Sequence, residues 1–191
     1  INSEFLETRF PGETHLRRHF AAQQEYYSWV VGDTRDHPVI ENAFTWLEEN
    51  WPEESSTVLS WGDARIGNIM FGNESFTPVA VFDWEMASLA PVEVDLGWLV
   101  FLHSFFQDIA ETYEFPGLPD FMKVETVKEI FEQETGYTPK NLRWFMVYAG
   151  LRHAIIMSRI NDRSVRFGQA VWTEDVDDAI PHRDLLLSMM E

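Results

Sequence analysis

The 191-residue sequence contains no cysteine and few basic residues, and it has no apolar run long enough to cross a membrane. The absence of cysteine excludes disulfides, thiolate metal sites and a cysteine nucleophile, and it is compatible with the cytosol. With no membrane span and no signal peptide, we expect a soluble, cytoplasmic protein that does not associate with membranes. Only 14 Lys and Arg face 32 Asp and Glu, and the resulting formal charge of −18 argues against nucleic-acid partners.

The composition is otherwise that of a well-packed domain. Hydrophobic residues make up 45% and aromatic residues 15% of the chain, which is ample for a core. The length suits a single domain over 1–191. The acidity could steer a cationic substrate to the surface, or it could serve only solubility. The chain begins at Ile1 without an initiator methionine, and helical patterning starts almost at once, so we expect a piece of a longer protein.

The spacing of apolar residues predicts a mainly α (α+β) fold, in which a helical body carries a small β-hairpin. The turn of the hairpin is the segment GNES. The predicted helices cover 13–31, 38–50, a segment from about 92, 121–135, 141–160 and 175–190, and the predicted strands cover 57–61, 67–71 and 77–84.

Two acidic motifs flank the predicted hairpin. WGDARIGNIMF contains Asp63 and Asn68, and VAVFDWE ends with Asp83 and Glu85. Buried carboxylates are costly unless something positive meets them. A hairpin can bring the loop before one strand close to the end of the next. Magnesium prefers one or two carboxylates plus phosphate oxygens, and a separate Asp that accepts a hydroxyl proton would complete a phosphoryl-transfer site.

These motifs, together with VDLGWL at 94–99, resemble the catalytic half of the aminoglycoside phosphotransferase-like kinases, which are related to choline kinase. The resemblance covers almost the whole chain and is closest to the branch found in bacterial proteins and fused to acyl-CoA dehydrogenases. It implies the C-terminal lobe of a protein-kinase-like fold. It also implies ATP-dependent transfer of the γ-phosphate to a hydroxyl of a small molecule, with an aminoglycoside-, choline- or hydroxyacyl-type acceptor.

The resemblance assigns roles to the acidic motifs. It implies that Asp63 is the catalytic base and that Asn68 and Asp83 hold Mg2+ and, through it, the ATP phosphates. Glu85 either joins the metal shell or shapes the acceptor site.

Three further residues take supporting roles by the same resemblance. Asp95 corresponds to a helix acid that holds the backbone of the catalytic loop. Arg65 either contacts a phosphate or an acidic substrate group, or it pairs with one of the nearby acids. Trp61 stands where the family usually has His, and we expect it to fill that space and support the loop while losing one polar contact.

The family also has an N-terminal lobe that supplies a nucleotide-covering loop and a phosphate-binding Lys. This chain has no room for such a lobe before residue 13, and its lysines, Lys123, Lys128 and Lys140, all lie far beyond the motifs. We therefore expect the N-terminal lobe to be part of the same longer protein, and this chain alone to bind ATP poorly.

Two other functions remain open at this stage: an inactive kinase-like binding module, and a metal-dependent phosphohydrolase. The aromatic residues beyond the motifs are also open to two interpretations. Helical spacing favours a core position for Trp98, whereas Trp144, Phe145 and Tyr148 could line an acceptor pocket or pack in the core. His153, in an apolar helix, is expected in the core or in a cleft.

Overall fold

The computed structural model describes residues 3–32 and 35–191; Ile1, Asn2, Asp33 and Thr34 of the predicted domain lie outside this part. A helical body carries four short strands, which confirms the predicted fold class. In the described part of the chain, no helix has the length and apolar character needed to span a membrane. The helices are α1 (His15–Val31), α2 (Pro38–Glu49), α3 (Glu93–Thr112), α4 (Val124–Thr135), α5 (Leu142–Arg166) and α6 (Arg183–Met190), and the strands are β1 (Thr57–Ser60), β2 (Ile69–Phe71), β3 (Pro78–Val81) and β4 (Ser88–Pro91).

The helix ends follow local chemistry. The Thr14 hydroxyl accepts a hydrogen bond from the Arg17 N–H at 3.2 Å and so begins α1. Pro38 occupies the first turn of α2, where its missing N–H costs nothing. Helix α5 continues past its predicted end near residue 160, and Arg163 and Arg166 in its last turn complement the negative end of the helix dipole.

Helix α5 is the centre of the fold, because α1, α2, α3 and α6 all pack against it. Its residues Leu151, Ala154 and Ile155 are completely buried. One apolar cluster joins α1, α2 and α6 to α5, and a second joins α3 to α5 through Trp98 and Phe101. Full burial of each large apolar side chain stabilises the fold by about 1.5–3 kcal/mol.

The strands form two antiparallel pairs, in which β1 pairs with β4 and β2 pairs with β3 in the predicted hairpin. Strand β4 is absent from the sequence-based prediction. Three of its four residues are buried, and they include residues on both faces of the strand. It therefore lacks the alternation that marks a half-exposed strand. The predicted strand at 67–71 is also shorter than expected, because residues Ile66–Asn68 form a 3-10 turn before β2.

The predicted helix at 175–190 is wrong as a continuous element. A 3-10 turn at Val176–Ala179 and α6 replace it, with a break at Pro181. Proline lacks an N–H and disfavours a helical conformation in the residue before it. Asp177, in the 3-10 turn, also bonds to a distant element: its Oδ2 accepts a hydrogen bond from the Val39 N–H of α2 at 3.0 Å.

Helices α3 and α5 touch at a glycine. A Cβ added at Gly97 would lie 2.6 Å from the backbone carbonyl of Phe145. We predict that Gly97→Ala lowers the free energy of unfolding by about 1–3 kcal/mol, because overpacking at a backbone contact outweighs the better helix propensity of alanine. Urea unfolding followed by circular dichroism measures this loss.

Gly150→Ala is the matched control for this substitution. Its new Cβ would lie 3.0 Å from Leu186 Cδ1, a side-chain tip that can move aside. We expect a smaller loss than for Gly97→Ala. A Gly97→Ala protein as stable as the wild type would show that the two helices do not touch as described.

Candidate functional site

The two acidic motifs are brought together by the strand topology. The loop of residues 61–68 leads from β1 to β2, and the loop of residues 82–87 returns from β3 to β4. Because β1 pairs with β4 and β2 with β3, both loops run between the same two sheets. Gly62 marks their closest approach: its φ is +90°, and a Cβ there would collide with the Met86 carbonyl.

Asp63 is held by three hydrogen-bond donors. Its Oδ1 accepts from Trp98 Nε1 at 2.8 Å, while its Oδ2 accepts from Arg65 Nε at 3.1 Å and from Asn68 Nδ2 at 2.7 Å. The Asp63 side chain is only 14% exposed. A carboxylate oxygen offers about two lone pairs. Oδ2 is therefore fully used, and Oδ1 keeps one lone pair for another donor.

The contact with Asp63 also fixes the orientation of Asn68. A carboxylate carries no hydrogen to donate, so the amide nitrogen of Asn68 must face it, and the amide oxygen is the atom that can bind a cation. The backbone carbonyl of Asn68 accepts a hydrogen bond from the Phe82 N–H at 2.9 Å. This bond extends the hairpin ladder to within one residue of Asp83. Asp83 is solvent-exposed and has a φ of +60°.

This donor set fits a magnesium ion that completes its shell with phosphate oxygens. One carboxylate and one amide oxygen suffice for such an ion, because Mg2+ keeps most of its shell as water or phosphate. No cluster of three or more His, Cys, Asp or Glu side chains suited to a metal occurs among residues 3–32 and 35–191. The fit therefore rests on Asn68 and Asp83.

Asp95, in the first turn of α3, holds the backbone at the start of the 61–68 loop. Its Oδ1 accepts from Ser60 Oγ at 2.9 Å and from the Gly62 N–H at 2.8 Å, and its Oδ2 accepts from the Trp61 N–H at 2.8 Å. From the opposite side, Arg152 Nη2 donates to the Gly62 carbonyl at 3.2 Å. The peptide before Asp63 is thus held by charged groups from both α3 and α5.

Trp61 makes polar contacts between the two loops. Its indole Nε1 donates to the carbonyls of Phe82 at 2.7 Å and of Asp83 at 3.2 Å. Tryptophan combines a large apolar ring with one N–H donor, so it fills the space and still links the two loops.

Arg65 lines two cavities, one of about 130 Å³ and a second one of about 230 Å³. The larger of these, which we call the Asp63 cavity, has room for a small molecule beside the Asp63 side chain. It is lined by Asp63, Arg65, Met86, Trp98, Leu102, Phe106, His153 and Ile156.

The protonation of His153 follows from its neighbours. His182 Nε2 lies 3.0 Å from the Gly150 carbonyl, which can only accept, so His182 carries its hydrogen on Nε2. His182 Nδ1 is then an acceptor for His153 Nδ1, 3.3 Å away, so His153 carries its hydrogen on Nδ1. His153 Nε2 keeps a lone pair. Burial lowers the pKa of both rings to about 4, so both are neutral near pH 7.

Glu85 is exposed and lines a third cavity, of about 400 Å³, which also includes Arg152. Trp144, Phe145 and Tyr148 are buried in the core rather than in an acceptor pocket.

Two residues of the site were missed by the sequence reasoning. Trp98 was assigned only to the core, although its indole N–H binds Asp63. Arg152 was not singled out at all. The available signal was its position within the apolar segment AGLRHAII, because a buried arginine is rare unless it is paired.

The fold is that of the kinase-like class. The crystal structure of a candidate aminoglycoside phosphotransferase from Ralstonia eutropha superimposes with a TM-score of 0.69 at 24% identity. The match covers 98% of this chain and 56% of that one.

Sequence comparison then identifies the family. Residues 5–122, more than half of the chain, match the phosphotransferase enzyme family (APH), and the chain belongs to this family. It is 28% identical to mouse acyl-CoA dehydrogenase family member 10 over 155 residues, covering 73% of this chain. It is also 28% identical to the "probable acyl-CoA dehydrogenase IBR3" of Arabidopsis thaliana over 109 residues, covering 52% of this chain. The chain spans only 14% and 13% of these relatives, and the similarity fits the dehydrogenase-fused branch.

The anchoring of the 61–68 loop by Asp95 can be tested through stability. A hydrogen bond to a charged group contributes about 1.5–3 kcal/mol, so we predict that Asp95→Ala lowers the free energy of unfolding by at least about 3 kcal/mol. Urea unfolding measures this loss of stability. Asp108→Ala removes an exposed acid from the same helix and should change stability by less than about 0.5 kcal/mol. Equal losses in the two variants would contradict the anchoring role.

The pair His153 and His182 predicts acid sensitivity. Unfolded imidazoles bind a proton near pH 6.5, whereas burial lowers the pKa of both to about 4 in the fold. The unfolded state therefore binds more protons, and stability that is complete above about pH 6.5 is lost as the pH falls toward 4. Urea midpoints between pH 7 and 5 should fall less steeply in His182→Gln than in wild type or His103→Gln. A urea midpoint that falls with pH as steeply in His182→Gln as in wild type would contradict this prediction.

Proposed function

We propose that this chain is the catalytic lobe of an ATP-dependent phosphotransferase that transfers the γ-phosphate to a hydroxyl of a small molecule. The observation that carries the proposal is the state of Asp63. Three donors immobilise its carboxylate, one lone pair of Oδ1 is left, and a cavity lies beside it. A carboxylate held in this way is suited to act as a general base.

In the proposed reaction, an acceptor hydroxyl in the Asp63 cavity donates its hydrogen to Asp63 Oδ1. Trp98 holds this oxygen, while Asn68 and Arg65 hold the other, so the carboxylate keeps its orientation. As the acceptor oxygen forms its bond to the γ-phosphorus, the bond to the bridging oxygen breaks and ADP leaves. The hydroxyl proton passes to Oδ1. His153 Nε2 is available to orient a second polar group of the acceptor.

Asn68 Oδ1 and the Asp83 carboxylate would bind magnesium, which neutralises charge on the ATP phosphates when bound. Arg65 also fits a phosphate contact, because its side chain is 41% exposed and only its Nε is engaged by Asp63. For Glu85, its position beside the third cavity supports a role in shaping the acceptor site more than a role in the metal shell.

An N-terminal lobe of the same longer protein would complete the nucleotide site in the cytoplasm. The three lysines of this chain each form an ion pair with a nearby carboxylate, so no lysine remains for the phosphates in the described part. Phe82 and Trp84, on either side of Asp83, are both 48% exposed. These apolar surfaces are suited to contact with the N-terminal lobe and with the adenine ring of ATP.

The names of the related proteins support different acceptors. The two acyl-CoA dehydrogenase relatives support a hydroxyacyl compound, and the structural neighbour supports an aminoglycoside.

Two substitutions test the proposed roles separately. In the longer protein that includes the expected N-terminal lobe, Asp63→Asn should leave Mg2+-dependent ATP binding within about threefold of wild type, but it should slow phosphate transfer by about 10²–10⁴-fold, because general-base catalysis contributes a factor of this size. Asp83→Ala should remove the Mg2+-dependent part of ATP binding. Calorimetry with Mg2+ or with a chelator measures binding. Transfer to choline, an aminoglycoside, hydroxy acids and water is measured with labelled ATP.

Asp108→Asn is the control, because this exposed acid lies on α3 outside the site. Undiminished transfer by Asp63→Asn would disprove the base assignment. ATP binding without transfer to any acceptor would favour an inactive binding module. Release of phosphate from simple esters without ATP would favour a phosphohydrolase.

A further inference from the structure

The third cavity, of about 400 Å³, lies between α1, α5 and the loop that follows β3. We call it the arginine cavity. Three of the side chains that line it are arginines on α5, and one is an acid, Glu85. Its lining residues are Gln23, Tyr26, Glu85, Met86, Arg152, Ile156, Arg159, Ile160 and Arg163.

The charge of this cavity is opposite to that of the whole chain. Three guanidinium groups and one carboxylate give the lining a formal charge of +2, within a chain of −18. Among the described residues, Arg152, Arg159 and Arg163 form no ion pair with a carboxylate. An acidic protein that keeps three arginines unpaired in one cavity has a site suited to an anion.

Arg152 is the most unusual of the three. It is only 2% exposed, and its Nη2 donates to the Gly62 carbonyl. Its Nε and Nη1 atoms are buried without a hydrogen-bond partner. Its guanidinium carbon lies 4.6 Å from the centre of the Trp98 ring. The negative charges of Asp95 and Asp63 act on this guanidinium and offset part of the cost of burying it.

Aromatic residues hold the other two arginines in place. Arg159 Nη1 donates to Tyr26 Oη at 3.2 Å, and its guanidinium carbon lies 4.6 Å from the Trp29 ring centre. The Arg163 guanidinium lies 5.7 Å from the Phe167 ring centre. Stacking on a ring leaves the N–H edge of a guanidinium open, and that edge matches the two oxygens of a carboxylate or a phosphate.

The arginine cavity adjoins the Asp63 cavity, because both are lined by Met86 and Ile156. His153 lies in the Asp63 cavity, and the helix rise places Arg159 about 9 Å and Arg163 about 15 Å further along α5. A molecule whose hydroxyl contacts Asp63 can therefore extend past Ile156 to these arginines.

We propose that the acceptor is an anion, whose carboxylate or phosphate group binds Arg159 and Arg163 beside Arg152 while its hydroxyl lies beside Asp63. This inference rests on the proposed function, because it names the class of acceptor for the same site. It disfavours a polycationic acceptor, which the arginines would repel, despite the acidity of the chain.

The test uses 10-hydroxydecanoate as the probe and the neutral 10-hydroxydecanamide as its matched control, both titrated calorimetrically into this chain without ATP. We expect the carboxylate to bind at least tenfold more tightly than the amide. The double variant Arg159→Gln/Arg163→Gln should abolish this preference while leaving the affinity for the amide unchanged. Arg143→Gln, on the same helix but bonded to the Met189 carbonyl and outside the cavity lining, should keep the preference.

A carboxylate that binds no tighter than the amide would overturn the inference, as would a double variant that weakens both probes equally. Titration of 10-hydroxydecyl phosphate distinguishes the two anionic groups, because the tighter of the two anions identifies which one the arginines select. These titrations involve no phosphate transfer. Failure of Asp63→Asn to slow transfer would refute the proposed function and leave the measured anion preference standing. Conversely, absence of an anion preference would overturn this inference and leave the proposed function standing.

Discussion

The described site depends on how the backbone before Asp63 is held. The Asp95 carboxylate binds the Ser60 hydroxyl and two successive N–H groups from one side, and Arg152 binds the Gly62 carbonyl from the other. A loop between two short strands has little stability of its own. Charged groups on two long helices compensate for this, because α3 and α5 pack extensively against each other. The position of Asp63 is therefore set by the helical body.

Arg152 connects this support to the proposed acceptor site. The same guanidinium that binds the loop also lines the arginine cavity and lies over Trp98, which in turn binds Asp63. Local charge in this cavity is opposite to the net charge of the chain. Short-range recognition depends on the groups within a few ångströms of a ligand, because solvent and salt screen the more distant acids. The net charge of −18 is therefore a poor guide to the acceptor.

Most of the helical body could be predicted, because the amphipathic spacing is long and regular in α1, α2 and α5. The failures have local causes. Strand β4 is buried on both faces and has no alternation to detect, and Pro181 interrupts an otherwise helical pattern. For the site, the spacing of Asp63, Asn68 and Asp83 was visible. The contribution of Trp98 was not, because its helical spacing indicates only packing, and for Arg152 the one signal was a charged residue within an apolar segment.

The sequence by itself determined the family, the mainly helical fold class and the acidic groups on which the proposed chemistry depends, because these follow from local spacing and residue type. Only the tertiary structure decided which lone pair of Asp63 stays open, how Trp61 joins the two loops, and that three arginines line one cavity. These features arise between segments distant along the chain, so they depend on how α1, α3, α5 and the two loops pack together. No local pattern encodes that packing.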